Sequence, residues 1–163
     1  MAQSPTPTDT PVVTASAPWH ALDPRVAYEV LRLRVDVFVV EQQCPYPELD
    51  GRDIEPRTEH RWVHPEGAPD DVLAYLRVLD DTTGEGPRVA RVGRVVTAPR
   101  ARGRRLADRL VADVVTELGA DSDVVLDAQS HLAGWYARHG FVRDGDDFVE
   151  DGIPHTPMRR PRG

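Results

Sequence analysis

Residues 92–111 read VGRVVTAPRARGRRLADRLV, and within that stretch the pattern changes from strand to helix. Val89, Val92, Val95 and Val96 favour a strand over 88–97. Their uneven spacing, with Gly93 among them, predicts a bulge. Pro99 interrupts the run. From about Gly103 to Leu118 the residues Leu106, Ala107, Leu110, Val111, Val114, Val115 and Leu118 form one broad apolar helical face, which Gly119 ends. The result is strand, Arg/Gly-rich turn, helix. A helix start carries unpaired N–H groups and about half a positive charge, so it attracts anions. Here Arg102, Arg104 and Arg105 crowd that end. Cations there oppose the helix dipole by roughly 0.3–1 kcal/mol each, a penalty that a bound diphosphate turns into attraction.

The surrounding charge sharpens this reading. The chain has 163 residues and a net charge of −7, which argues against a nucleic-acid binder. Yet 88–109 holds eight arginines and one acid, Asp108, giving +7 there and about −14 elsewhere. A focused basic segment suits a compact polyanion better than a long phosphate backbone. There is no lysine, so only the position of the charge is informative. No run approaches the roughly 20 apolar residues of a membrane span, and the first residues lack a signal-peptide pattern. With its single cysteine, Cys44, the chain reads as a cytoplasmic protein without membrane or nucleic-acid partners.

Residues 1–18, rich in Pro, Thr, Ser and Ala, read as a disordered tail before one domain over 19–160. Asp23-Pro24 starts a helix that runs to about Phe38, with Val26, Val30, Leu33 and Val37 at helical spacing. An acidic, Pro-rich loop follows over 41–59, then strands over 60–64 and 72–79. Beyond the central helix come a strand over 123–129, a short helix over 131–140, and strand-like pieces at Phe141-Val142 and 147–158. The element order is α/β.

The quoted stretch resembles the acyl-CoA-binding motif of the GNAT superfamily of N-acetyltransferases. The motif core is [Q/R]-x-x-G-x-[G/A], and Arg102, Gly103, Arg104, Arg105, Leu106 and Ala107 occupy it. Arg105 stands in place of the first glycine. LRLRVDVFVVEQQCPYPELDGRD (31–53), AQSHLAGWYARHGF (128–141) and EDGIPHTPM (150–158) resemble the ElaA-like branch, in the same order. The resemblance implies a mixed, mostly antiparallel central sheet, splayed where the cofactor inserts, with helices on both faces. It also implies that backbone groups of Val95, Val96 and Thr97 hold the pantetheine arm.

Attack of an amine on a thioester needs a neutral amine, a polarised carbonyl and a proton for the departing thiolate. The resemblance gives that proton to Tyr136, whose phenol stays protonated at neutral pH. Glu41 and His155 are both candidate bases, and a water relay is a third route. Glu48, Asp50, Asp53 and Glu55 would give the 41–59 loop a negative face for a cationic amine. Cys44 reads as a small buried thiol, and His60 with His64 lacks further ligands for zinc, so no metal is expected. The expected reaction is acetyl transfer from acetyl-CoA to a small-molecule or peptide amine in a ternary complex. The alternatives are a non-catalytic acyl-CoA sensor, which the Arg105 departure favours, and chemistry like that of acyl-homoserine-lactone synthases.

Overall fold

A computed structural model describes residues 10–163. Residues 1–9 of the expected tail lie outside the described residues, but its second part is corrected: Val12–Pro18 form a strand, β1. It pairs antiparallel with β2 (Glu59–Pro65), from Val12↔Pro65 to Pro18↔Glu59. β1 is an edge strand; this pairing, more than forty positions away in sequence, provides its ladder, and Arg109 Nη1 donates to the Val12 carbonyl at 3.1 Å.

Asp23 caps the first helix, α1 (Pro24–Arg34), its Oδ1 accepting the Arg25 N–H at 2.8 Å. Val26, Val30 and Leu33 bury its apolar stripe. The regular helix stops earlier than its periodicity suggests. Val35–Glu41 widen into a π-helical turn, where Val35, Val37, Val39 and Val40 place four β-branched residues that crowd an ordinary α-turn.

β3 (Ala74–Asp80) and β4 (Arg88–Thr97) follow, then α2 (Leu106–Leu118), β5 (Ser122–Gln129) and a short α3 (Ala133–Ala137). The chain ends in β6 (Val142–Arg143), β7 (Phe148–Glu150) and β8 (Ile153–Arg160). α2 begins three residues later than expected, because Gly103 (φ 80°) and Arg105 (φ 58°) are left-handed and form a turn instead. The expected strand over 147–158 is a hairpin, turned at Asp151 and Gly152, which both have positive φ.

The eight-stranded sheet runs β1-β2-β3-β4-β5-β8-β6, with β7 also on β8. Every pairing is antiparallel except β4–β5. An ion pair and a cation–ring contact place helices on opposite faces. Glu117 of α2 meets Arg61, which shares a face with its partner Leu76. Arg34 of α1 lies 5.8 Å from the ring of Tyr75, on the other face.

Two irregularities of β4 shape the molecule. Tyr75 pairs with Val96 and Arg77 with Gly93, so Arg94 and Val95 both stand opposite Leu76. That is the expected bulge, with Arg94 rather than Gly93 in the left-handed conformation. On its other side, β4 pairs with β5 only from Arg88↔Ser122 to Arg91↔Val125. Beyond Arg91 the strands part, and β5 continues on β8 as far as Gln129↔His155. The sheet opens like a V.

Candidate active site

Two cavities meet in this opening. One, of about 320 Å³, lies on the α2 side and is lined by Gly103, Arg105, Leu106, Ala107, Asp108 and Trp135, among others. The second, of about 510 Å³, lies on the side of the π-helical turn. Gln42, Cys44, Tyr46, Gly93, Arg94 and His155 contribute to its walls. Val95, Val96, Thr97, Arg102, Leu132 and Tyr136 line both. The motif residues are therefore gathered around the smaller cavity, except Arg104, which lines neither.

The turn before α2 accounts for the Arg105 departure. Arg105 takes a left-handed conformation that glycine adopts without steric penalty, and its side chain is 82% exposed. The loop backbone is thus kept while the side chain points to solvent. Its nearest carboxylate is that of Asp108, at 3.8 Å.

Tyr136 sits in the wall common to both cavities, buried on α3. The edges of Trp135 and Phe141 pack against its ring, at centroid distances of 4.6 and 6.0 Å. Burial pushes its phenol well above the ordinary value near 10, so the proton is retained. His155 stacks on Phe148 at 5.5 Å and lines the larger cavity. Its Nδ1–H donates to the Ile153 carbonyl at 2.8 Å, which leaves Nε2 as the acceptor nitrogen. Glu41 is placed differently. It lines neither cavity, and both its carboxylate oxygens accept from Arg102 Nη2, at 2.8 and 3.0 Å.

A family model for an acetyltransferase (GNAT) domain matches residues 52–161. The chain belongs to the GNAT family. It is 51% identical over 141 residues to the UPF0039 protein Rv2851c of Mycobacterium tuberculosis, covering 86% of this chain and 87% of that one. Among solved structures, an acyl-CoA N-acyltransferase from Pseudomonas aeruginosa superposes with a TM-score of 0.80 at 38% identity, covering 91% and 99% of the two chains. Escherichia coli ElaA superposes equally well, with a TM-score of 0.80 at 30% identity and the same coverage. This is a GNAT protein of the ElaA-like branch, with the GNAT acyltransferase fold.

Beside the GNAT cleft lies an ion network that sequence reasoning missed. The acids of the 41–59 loop do not form a free negative face. Glu48 and Asp53 are 3% and 6% exposed and are held by internal arginines. Arg34, fully buried, donates Nε to Glu48 at 2.6 Å and Nη1 to Asp53 at 2.7 Å. Arg77 donates Nη2 to Asp50 at 2.6 Å and Nη1 to Asp53 at 3.0 Å. Glu55 accepts from Arg52 Nε at 2.9 Å. Burial by itself raises the carboxyl of Asp53, but the hydrogen bonds and charges of Arg34 and Arg77 outweigh it and hold it below the usual range. Asp50 is lowered in the same way: burial opposes, and hydrogen bonds from Arg77 and the Arg52 N–H prevail. The signal for this network was Arg34 itself, which falls four residues after Val30 on the buried stripe of the first helix.

His60 belongs to this network and not to a metal site. Its Nε2–H donates to the Asp53 carbonyl at 3.0 Å, and its Nδ1 accepts from the Tyr75 hydroxyl at 2.7 Å. His64 donates Nδ1–H to the Pro65 carbonyl at 2.8 Å. The Cys44 thiol, buried in the wall of the larger cavity, meets the Asp151 carbonyl at 3.3 Å. Among the described residues no helix is long and apolar enough to cross a membrane.

Proposed function

We propose that this protein transfers an acetyl group from acetyl-CoA to a primary amine, the smaller cavity holding the cofactor and the larger one the acceptor. The observation that carries this reading is the position of Tyr136 and of Val95–Thr97, which line both cavities where β4 and β5 part.

The cofactor's diphosphate would lie at the turn over Gly103–Ala107, against the N–H groups that open α2 and the guanidinium of Arg102. Its pantetheine arm would run along the edge of β4 that β5 leaves unpaired, as an additional strand would. The acceptor nitrogen then attacks the thioester carbon from the larger cavity. A C–N bond forms, the C–S bond breaks, and Tyr136 gives its proton to the departing thiolate. The proton lost by the amine passes to Nε2 of His155, directly or through water. A phenol kept protonated by an apolar wall is a weak acid. Its donation must therefore accompany C–S cleavage, and the phenolate regains a proton from the imidazolium of His155 through water, because a lasting phenolate would be unfavourable there. We assign Glu41 to the restraint of Arg102, with which it is paired, in preference to the role of base.

Calorimetric titration with acetyl-CoA and CoA tests the cofactor half, and no binding at millimolar ligand overturns it. Release of free thiol with a panel of small amines and peptides tests the acceptor half. Binding without turnover across the panel would support the sensor reading in its place.

A further inference from the structure

Arg94 stands at the one position of β4 that a side chain does not favour. With φ at 56° it holds the left-handed conformation that makes the bulge, which disfavours any residue with a Cβ. Its side chain is anchored. Nε donates to Glu48 Oε1 at 3.0 Å, while Nη2 reaches the Glu48 carbonyl at 3.2 Å and Asp50 Oδ2 at 3.3 Å. The guanidinium carbon lies 5.9 Å from the ring of Tyr46. Glu48 is in turn fixed from behind by the fully buried Arg34 of α1. A relay of ion pairs thus runs from α1 through the wall of the larger cavity to the bulge.

The bulge, Arg94 and Val95, opens the stretch Val95–Thr97, whose outer edge is left open by the parting of β4 and β5. We propose that Arg94 is a positioning residue: held by Glu48 and Asp50, it keeps the bulge in place and so sets the slot along Val95–Thr97. The wall of the acceptor cavity thereby fixes the shape of the cofactor cavity. This rests on reading that slot as the acyl-CoA site, but the backbone claim stands apart from it.

The test compares Arg94→Ala with Arg94→Gly. Both lose the anchor, but only alanine retains a Cβ that opposes the left-handed conformation. Amide hydrogen exchange is measured at residues 94–97 in the ligand-free protein, alongside CoA affinity by calorimetry. In Arg94→Ala those amides should exchange about tenfold faster and CoA should bind about tenfold more weakly. In Arg94→Gly both quantities should stay within about threefold of wild type. Wild-type exchange in Arg94→Ala overturns the proposal, since the bulge would then hold its left-handed conformation without the anchor. Should wild type bind no CoA, the functional reading fails, and the exchange comparison still decides the role of Arg94.

Discussion

Replacing Arg105 by glycine should make the protein more stable and its grip on CoA weaker. Arg105 occupies a left-handed position that disfavours any residue with a Cβ by about 1–2 kcal/mol, which glycine recovers. Removing a cation from the start of α2 adds about 0.3–1 kcal/mol. Against this stand the greater freedom of glycine in the unfolded chain, about 0.4–1 kcal/mol, and a surface contact with Asp108 worth no more than about 0.5 kcal/mol. The side chain is 82% exposed, so little packing is lost. The balance is near +1 kcal/mol, or about 2–4 °C in Tm for a chain of this length. Arg105→Ala is the control. It removes the charge and keeps the strain, so its Tm should stay within about 1 °C of wild type. Urea denaturation and calorimetry of all three proteins give the stabilities. CoA titration should show both variants about two- to fivefold weaker, having lost one cation beside the diphosphate. If glycine is no more stable than alanine at this position, the strain argument is wrong.

Tyr136→Phe should lower kcat by about a hundredfold or more, the usual contribution of a positioned acid, while CoA affinity stays within about twofold. A parallel loss of affinity would show instead that the hydroxyl organises the cofactor cavity. Gly93 lines the larger cavity, its φ is ordinary, and a Cβ built there meets no atom within 4 Å. Gly93→Leu should therefore fold normally, bind CoA as wild type does, and raise KM for any active amine about tenfold or more by filling the acceptor space. Raised KM for acetyl-CoA alone would put the two substrates on the wrong sides. Stability should also fall in two stages as pH drops. Burial lowers His60 below its ordinary 6.5, so its contribution is present above pH 6.5 and is lost as the unfolded chain takes up a proton below it. Asp50 and Asp53 are lowered as well, so their contribution is intact above about pH 4 and is lost below. Urea midpoints between pH 8 and 3 should show both stages, and His60→Gln should remove the first; a flat profile from pH 8 to 5 in wild type would refute the assignment to His60.

The parts of the fold visible in sequence were those whose information is local. The apolar face of α2, the Asp23-Pro24 start of α1 and the valines of β4 each declare themselves within one element. β1 did not, because VVTASAP lies in a stretch rich in Pro, Thr, Ser and Ala, and its pairing partner β2 is more than forty positions away. The motif and GWYARHGF marked segments that both contribute to the walls of the smaller cavity. What stayed hidden was the pairing of charge across distance. The acidic loop and the basic window were each legible, but not that Glu48 and Asp50 of the one hold Arg94 of the other.

That pairing changes what the basic window means. Four of its eight arginines lie within ion-pair distance of acids outside it: Arg91 with Asp81 and Asp127, Arg94 with Glu48 and Asp50, Arg100 with Asp71, and Arg102 with Glu41. Half of the window's arginines are therefore already paired, Arg100 and Arg102 in exposed contacts at the surface. On the proposed reading, the attraction for a diphosphate would come from Arg102, Arg104 and Arg105 at the turn and from the backbone N–H groups that open α2. Backbone donors are fixed by φ and ψ, so they act at full strength only if Gly103 and Arg105 keep their left-handed angles. The turn accordingly tolerates arginine at the glycine position of the motif: the backbone keeps its left-handed course there while the side chain points to solvent.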